Sequence, residues 1–333
     1  MNKMLTVVIP SYNTFQFMDN SLNTMICVDN IEKIEILLVD DGSQDSTLEK
    51  ARDWENKFPS IIKVIHKENG GHGSVINRGI KEAKGKYIKI IDGDDYVDSN
   101  QFSLFIEELE KIDSDVIFSP FTRVSAIDKS EIVIYPSTSS KFVTGCMYDA
   151  DKAIGSMRGT IHSLTYRTSL LQEHFDQIKV SEKVFYEDNE YDMYPMLFAK
   201  TIFISGCNVY QYVVDQANQS VSMSNLLRRI DQQMLIFSKL ITYYVDAERK
   251  DALNEQYKQY CSRIISNVAV TIYSVIFSKQ DYSKQDKAYL ISLDQELRKK
   301  VPLAFCYMNV FKRIRIIRAF RYSPIITKII RSI

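Results

Sequence analysis

Residues 87–98 read YIKIIDGDDYVD, an apolar run followed at once by a cluster of acids. Four of the first five residues are apolar and three are β-branched, which is typical of a buried strand. Asp92, Asp94 and Asp95 follow, and carboxylates this close repel one another unless a cation lies between them. Gly93 allows the backbone to turn so that two of these acids face one point. The stretch therefore predicts a site for a hard divalent cation and a substrate diphosphate, the alternative being an acidic surface turn.

The chain before residue 87 alternates strands with helices. We predict strands at 5–9, 35–39 and 61–65, separated by helices at about 15–25, 46–58 and 74–84. A capping box, Ser46-Thr47-Leu48-Glu49, opens the second helix, and Pro59 ends it. This alternation predicts βαβ units, and therefore an α/β fold with a parallel sheet covered by helices on both faces.

Polar residues follow three of the four predicted strands. These residues are Ser11-Tyr12-Asn13, Asp40-Asp41 and Asp92-Gly93-Asp94. Because ligands of parallel α/β sheets bind beyond the carboxyl ends of the strands, we expect these three groups to converge on one crevice.

Charge is distributed unevenly along the 333 residues, although the formal net charge is zero. From Arg298 to the end there are ten Lys or Arg and no acid, so residues 1–297 carry a net charge of −10. The five cysteines show no C-x-x-C spacing, which argues against both a disulfide framework and a zinc site. We see no apolar run near the ~18 residues that span a bilayer, and the run at 5–9 is too short for a signal peptide. We therefore expect a cytoplasmic body of about two domains.

Four motifs in this order resemble the family-2 glycosyltransferases of the GT-A fold. They are VVIPSYN (7–13), LVDDGSQDST (38–47), the segment from Asn69 to Ile80, and GKYIKIIDGDD (85–95). Tyr186-Glu187-Asp188 matches the Glu-Asp element of that family and extends the resemblance to about residue 220. The resemblance implies a mixed, mainly parallel sheet flanked by helices, with a helical C-terminal region. We expect a GT-A catalytic domain at 1–222, a helical extension at 223–296 and a basic amphipathic tail at 297–333.

The resemblance implies transfer of a sugar from a nucleotide-diphosphate donor, most simply a UDP-sugar, with inversion at the anomeric carbon. It assigns Asp188 as the general base, and Asp92 and Asp94 as ligands of Mg²⁺ or Mn²⁺. The donor-binding positions that it implies are Pro10, Tyr12, Asn13, Asp40, Asp41, Asn77, Asp92 and Gly93. Processive members of the family carry a C-terminal glutamine–arginine–tryptophan motif. This chain lacks it, since its only tryptophan is Trp54, so we expect addition of a single sugar.

The chemistry of these residues agrees with the implied roles. An aromatic ring such as Tyr12 offers a face to a nucleobase, and a carboxylate such as Asp40 can accept the imide N–H of uracil. An acceptor hydroxyl needs a base, and burial together with the charge of Glu187 is expected to raise the pKa of Asp188. The chain departs from the common pattern at Ile76, where the family usually has an arginine. The phosphate contact expected from that arginine therefore has no matching side chain at this position.

Three further residues have two interpretations each. His72 in the glycine-rich loop, residues 69–73, is a candidate phosphate or acceptor contact, or a loop histidine with no chemical role. His162 is a candidate for the acceptor cleft, although a packed or surface role is favoured. Lys89 interrupts an apolar strand, where it either reaches a phosphate or extends to the edge of the sheet.

The tail predicts contact with an anionic membrane surface through residues 298–333. Phe311, Ile314, Ile317 and Phe320 recur at helical spacing between basic residues, and a second apolar stripe follows Pro324. The alternatives are packing of these helices on the body or a dimer contact. Nucleic acid is not expected as a partner, because the acidic body would repel a polyanion.

We therefore expect an enzyme that extends a lipid-linked glycan for cell-surface polysaccharide, peripheral on the inner face of the cell membrane. The alternatives are a glycosyltransferase that acts on a protein, a sugar-phosphate nucleotidyltransferase, and a non-catalytic subunit that binds nucleotide sugars.

Overall fold

A computed structural model describes residues 3–137, 139–215 and 222–323. The chain divides into two compact units, Met1–Ala217 and Asn218–Ile333. The predicted boundaries at 222 and 296 are not tested by this division and stay predictions.

The described residues form twelve strands and fourteen α-helices. The strands are β1 (Leu5–Ser11), β2 (Ile34–Asp40), β3 (Ile62–His66), β4 (Tyr87–Ile90), β5 (Tyr96–Val97), β6 (Val116–Phe118), β7 (Phe121–Ser125), β8 (Glu131–Ile134), β9 (Cys146–Asp149), β10 (Leu164–Arg167), β11 (Thr201–Ile204) and β12 (Tyr210–Val214). The helices of the first unit are α1 (Met18–Ile26), α2 (Thr47–Lys57), α3 (His72–Glu82), α4 (Ser99–Lys111), α5 (Ala150–Ala153), α6 (Thr168–Glu173), α7 (Phe175–Ile178) and α8 (Asp188–Met193). Those of the second unit are α9 (Met223–Arg228), α10 (Ile230–Arg249), α11 (Glu255–Ser278), α12 (Lys284–Lys300), α13 (Pro302–Met308) and α14 (Lys312–Ala319).

The main sheet has, in the described residues, the order β3-β2-β1-β4-β10-β6-β11-β9. Its first four strands are parallel, whereas β10 runs antiparallel to both of its neighbours and β9 antiparallel to β11. Strands β1, β2 and β4 are buried along their whole length, as expected for parallel strands covered on both faces. The predicted mixed, mainly parallel α/β fold is confirmed.

The elements predicted before residue 91 are confirmed, with ends that differ by a few residues. The predicted capping box is wrong, because in the described part of the chain the Ser46 side chain makes no capping hydrogen bond. Instead, Asp45 Oδ1 accepts from the Thr47 amide at 3.0 Å.

Residues 115–121 look like one strand in the sequence but form two strands in different sheets. Ser119 and Pro120 separate β6 from β7, and the Ser119 amide donates to the Ser163 carbonyl at 2.9 Å. Because proline has no amide to continue a ladder, the chain leaves the main sheet here. It then enters a smaller sheet of order β5-β12-β7-β8.

The second unit is helical in its described residues, as predicted. By length and composition, α11 is the one described helix that could cross a membrane, and 61% of its apolar window is buried inside the protein. Its sequence did not stand out as a bilayer-spanning run because polar residues such as Ser262 and Asn267 interrupt the apolar residues. It packs against α10 and α13, as the core helix of a helical unit does.

The apolar residues predicted to share one face of the helix α14 differ in their burial. Ile314 and Ile317 are buried, whereas Phe311 and Phe320 are 44% and 55% exposed. Arg318 donates to both oxygens of Asp294 on α12, at 2.6 and 2.7 Å. Part of the stripe therefore packs within the helical unit, which was one of the alternatives. The second stripe, 324–333, lies outside the described residues.

Candidate active site

The candidate site lies where β1, β2 and β4 end at their carboxyl ends. In the parallel register, Ser11 of β1 pairs with Asp40 of β2, and Val8 pairs with Ile90 of β4. A Cβ atom on Gly93 would lie 2.6 Å from the Pro10 carbonyl oxygen. Only a glycine allows the acidic turn after β4 to approach the end of β1 this closely.

The acids after β4 form a cluster around the Tyr210 hydroxyl on β12. This hydroxyl lies 2.7 Å from Asp95 Oδ2 and 3.2 Å from Asp92 Oδ2, and it accepts from the Asp92 amide at 3.1 Å. Asp95 is buried, and its second oxygen accepts from the Val213 amide. Burial and the charge of Asp92 raise the pKa of Asp94 to about 6, and burial raises that of Asp95 well above its ordinary value. Burial and mutual repulsion therefore disfavour full ionisation of these carboxyl groups when no cation is bound.

Two overlapping sets of side chains fit a divalent cation. Asp92, Asp95 and His162 each offer a ligand atom, and these atoms lie within 4.8 Å of one another. This group, found among the described residues, does not include Asp94, which the sequence analysis paired with Asp92. Carboxylate oxygens suit Mg²⁺ and Mn²⁺, and a cation here would offset the crowded charge. Asp92 belongs to both sets.

His162 is both packed and directed at the acidic cluster. Its ring stacks on Tyr212 at 4.3 Å and meets Tyr210 edge-on at 4.9 Å, while Nε2 lies 3.9 Å from Asp92 Oδ2. Burial lowers the pKa of His162 to about 4, so the ring is neutral at pH 7 and can offer a lone pair. His162 is therefore packed, as was favoured from the sequence, and it also faces the acidic cluster.

Lys89 of β4 occupies neither of its two predicted places. It is 0% exposed, and its Nζ donates to the carbonyl oxygens of His162 at 2.9 Å and Leu164 at 3.2 Å. Because β10 pairs with β4, the carbonyls at the start of β10 lie within reach of the side chain. Burial lowers the pKa of Lys89 to about 7. The residue supports the segment that presents His162.

His72, at the start of α3, joins two carboxylates. Its Nε2 lies 3.0 Å from Asp92 Oδ1 and its Nδ1 lies 2.7 Å from Glu187 Oε1. Burial opposes the charged ring, but the bonds to Asp92 and Glu187 raise the pKa of His72 well above its ordinary value. Its place among acids was not visible in the sequence, because the loop residue and Glu187 are far apart in the chain.

Asp188, the predicted base, begins α8 beside this cluster. Its Oδ1 accepts from the Asn189 amide at 3.0 Å, and the side chain is half-buried. Burial and the neighbouring charge of Glu187 raise the pKa of Asp188 to about 6, in the direction expected from the sequence. A carboxylate with this pKa is mostly ionised at pH 7 and accepts a proton more readily than an ordinary aspartate.

The predicted donor-binding residues at the ends of β1 and β2 lie side by side. Tyr12 is 47% exposed, so its ring is available to a planar ligand. The Asn13 main-chain amide donates to Ser43 Oγ at 3.0 Å, and the side-chain Oδ1 of Asn13 accepts from the Gln44 main-chain amide. These two bonds tie the loop after β1 to the loop after β2. Asp40 is buried and bonds His66 Nδ1 at 2.7 Å. Its predicted contact with the nucleobase stays a prediction.

Two other predicted donor-binding residues are bonded to the protein itself. Asp41 accepts from the amides of Gly70 and Gly71 at 2.9 and 2.8 Å and from Lys67 Nζ at 2.5 Å. It therefore shapes the glycine-rich loop. The Asn77 side chain exchanges hydrogen bonds with the main chain of Val180. Contact of either residue with a donor stays a prediction.

Asp95 and Tyr210 were not predicted as site residues, and His162 was a candidate for the acceptor cleft but not for the cation. Asp95 was visible within the acidic run, but the partners that direct it come from β12 and the segment before β10. Tyr210 gave only a weak signal in the sequence, because an aromatic residue in an apolar strand more often belongs to the core.

Comparison with known proteins agrees with this geometry. The family described as Glycosyl transferase family 2 matches residues 6–142. The uncharacterized glycosyltransferase EpsJ of Bacillus subtilis is 37% identical over 123 residues, which are 37% of this chain and 35% of EpsJ. This match thus spans about a third of the relative. The cholesterol galactosyltransferase of Borreliella burgdorferi is 26% identical over 84% of this chain and 75% of its own length.

Among solved structures, residues 1–349 of S. aureus TarS superpose with a TM-score of 0.67 at 18% identity. The match covers 99% of this chain and 91% of that one. This likeness confirms the GT-A fold, and the same TarS fragment has been crystallised with UDP-GlcNAc.

Proposed function

Because residues 6–142 match glycosyl transferase family 2, we propose that this chain transfers one sugar from a nucleotide-diphosphate donor to an acceptor hydroxyl, with inversion at the anomeric carbon. The observation that carries the proposal is the placement of Asp188. Its carboxylate lies in the same group of interacting charges as Asp92 and His72, beyond the carboxyl ends of the parallel strands. A base and a diphosphate-binding cluster on one crevice are the parts that a direct displacement requires.

Different residues have different roles in this displacement. Tyr12 offers its exposed ring to the nucleobase, and a UDP-sugar is the favoured donor. Asp188 removes the proton of the acceptor hydroxyl as its oxygen attacks the anomeric carbon. The bond from that carbon to the diphosphate breaks, and the nucleoside diphosphate leaves with the bonding electron pair. Glu187 does not compete as the base, because it is buried and its carboxylate is bonded to His72.

Asp92 would hold the divalent cation, with Asp94 or with Asp95 and His162 completing the set. A bound Mg²⁺ or Mn²⁺ would stabilise the charge that gathers on the leaving diphosphate.

We propose a lipid-linked glycan as the acceptor, at the inner face of the cell membrane. Val310 and Phe311 are exposed beside the exposed cations Lys312, Arg313 and Arg315, and the described part of the tail carries no acid after residue 297. Exposed apolar and basic groups together favour an anionic lipid surface. The similarity to a cholesterol galactosyltransferase agrees with a lipid acceptor. A role in cell-surface polysaccharide synthesis follows from this acceptor.

Two experiments test the proposal. Release of UDP from UDP-N-acetylglucosamine, UDP-glucose and UDP-galactose with Mn²⁺ should be found for at least one donor and be lost in Asp188→Asn. The exposed Asp53→Asn on α2 is the matched control and should keep full activity. No release from any nucleotide sugar, with intact folding, would refute the activity. Flotation with phosphatidylglycerol vesicles should be lost when Lys312, Arg313 and Arg315 are replaced by Glu, and equal flotation would refute the membrane contact.

A further inference from the structure

His72 is held by hydrogen bonds at both of its ring nitrogens. Nε2 meets Asp92 Oδ1 at 3.0 Å, and Nδ1 meets Glu187 Oε1 at 2.7 Å. An ionised carboxylate can only accept, so each nitrogen donates and the ring is fixed in one orientation. Asp92 follows β4, and Glu187 immediately precedes α8. One side chain thus bonds two elements that are 95 residues apart in the chain.

The backbone around His72 leaves little freedom for this arrangement. A Cβ atom on Gly73 would lie 2.0 Å from the Ser181 carbonyl oxygen, so the segment before α8 lies directly against the first turn of α3. The Lys183 amide donates to the Gly70 carbonyl at 2.7 Å on the other side of His72. The ring therefore stands at a fixed seam between the glycine-rich loop and residues 181–187.

The two bonds assign different tasks to the neighbouring carboxylates. Because His72 occupies Asp92 Oδ1, it is Oδ2 that faces Tyr210 and His162. Because His72 occupies Glu187 Oε1, the next residue, Asp188, is the carboxylate left for the acceptor.

We infer that His72 is a positioning residue that couples the cation-binding carboxylate Asp92 to the segment bearing the base Asp188. The inference rests on the proposed function. The ring sets the spacing between the donor's diphosphate and the base, and this spacing decides how well the attacking hydroxyl is aligned.

The coupling predicts a double effect of His72→Ala. Mn²⁺ binding in the presence of UDP, followed by the electron paramagnetic resonance of free Mn²⁺, should weaken about 10-fold or more. The kcat of UDP release at saturating Mn²⁺ should also fall about 10- to 100-fold, as is typical when a partner of a metal ligand is removed. The control is His174→Ala, a partly exposed histidine that stacks on Phe198 and should change neither quantity.

The pattern of the two effects decides the inference. Weaker Mn²⁺ binding with kcat restored at saturating metal would mean that His72 serves Asp92 alone. A lower kcat with unchanged Mn²⁺ binding would mean that it serves Glu187 alone. Either result, or no change at all, would overturn the coupling.

A measurement on the metal-free protein keeps the test independent of activity. Amide hydrogen exchange across residues 181–190 should become several-fold faster in His72→Ala and also in Asp92→Ala, because both remove the tie. Unchanged exchange in Asp92→Ala would overturn the inference. If His72→Ala does not fold, His72→Asn replaces it with the same expectations, because both donors of an asparagine lie on one nitrogen and do not reproduce the two opposed ring nitrogens. Absence of UDP release in the wild type would refute the proposed function, while the exchange measurement would still test the tie.

Discussion

Lowering the pH through 6 should remove Asp188 as a base. Burial and Glu187 raise the pKa of Asp188 to about 6, so its carboxylate is about nine-tenths ionised at pH 7 and about one-tenth ionised at pH 5. Since only the ionised form accepts a proton, the kcat of UDP release should fall about 10-fold between pH 7.5 and pH 5. The assay is initial-rate UDP release at saturating Mn²⁺ and UDP-sugar across this range.

Glu187→Gln identifies the group responsible for the acid limb. Asp94 has a similar pKa, but burial and Asp92 set it, whereas Glu187 acts on Asp188. Removing the Glu187 charge should lower the pKa of Asp188 and move the limb to lower pH, and the amide oxygen can still accept from His72. A rate that is level from pH 7.5 to pH 5, or a limb that Glu187→Gln leaves in place, would refute the reasoning.

Three further substitutions test the surroundings of the site. Lys89→Met should flatten the pH dependence of stability. Between pH 7 and about 10, the lysine of the unfolded chain keeps a proton that the buried lysine of the folded chain has released. The free energy of unfolding of the wild type should therefore rise by up to about 1.4 kcal/mol per pH unit more than that of the variant. Urea unfolding at pH 7.5 and 9 measures this difference, and parallel curves would contradict it. Gly93→Ala should lower UDP release at least about 10-fold, because the added Cβ would displace the Pro10 carbonyl; Gly206→Ala, whose Cβ would meet nothing closer than 3.9 Å, should not. Tyr210→Phe should cost about 1–3 kcal/mol in urea unfolding by leaving Asp95 short of a donor, whereas the exposed Tyr135→Phe should cost nothing measurable.

The parallel half of the fold could be predicted because its information is local. Each of the first four strands is a short apolar run that ends in turn-forming polar residues, and β1, β2 and β4 are buried throughout. The convergence of their ends follows from the parallel register, in which Ser11 meets Asp40. The separation of β6 from β7 was not predicted, since it depends on pairing with β10 and β12 at positions far along the chain.

The partners of the site residues could not be predicted for the same reason. Asp41 was visible as an acid after β2, but its bonds to Gly70 and Gly71 cross 29 and 30 residues. The bond between Tyr210 and Asp95 crosses 115 residues. Local patterns therefore indicated where carboxylates gather, whereas non-local packing decides which of them shape the loop and which remain for chemistry.

The configuration of the first-formed sugar tests inverting transfer most directly, because water can serve as the acceptor. Proton NMR during turnover of a UDP-α-sugar with Mn²⁺ should show the β-anomer of the free sugar appearing first, and Asp188→Asn should abolish its formation. Initial appearance of the α-anomer, or undiminished turnover in Asp188→Asn, would contradict direct displacement with Asp188 as the base.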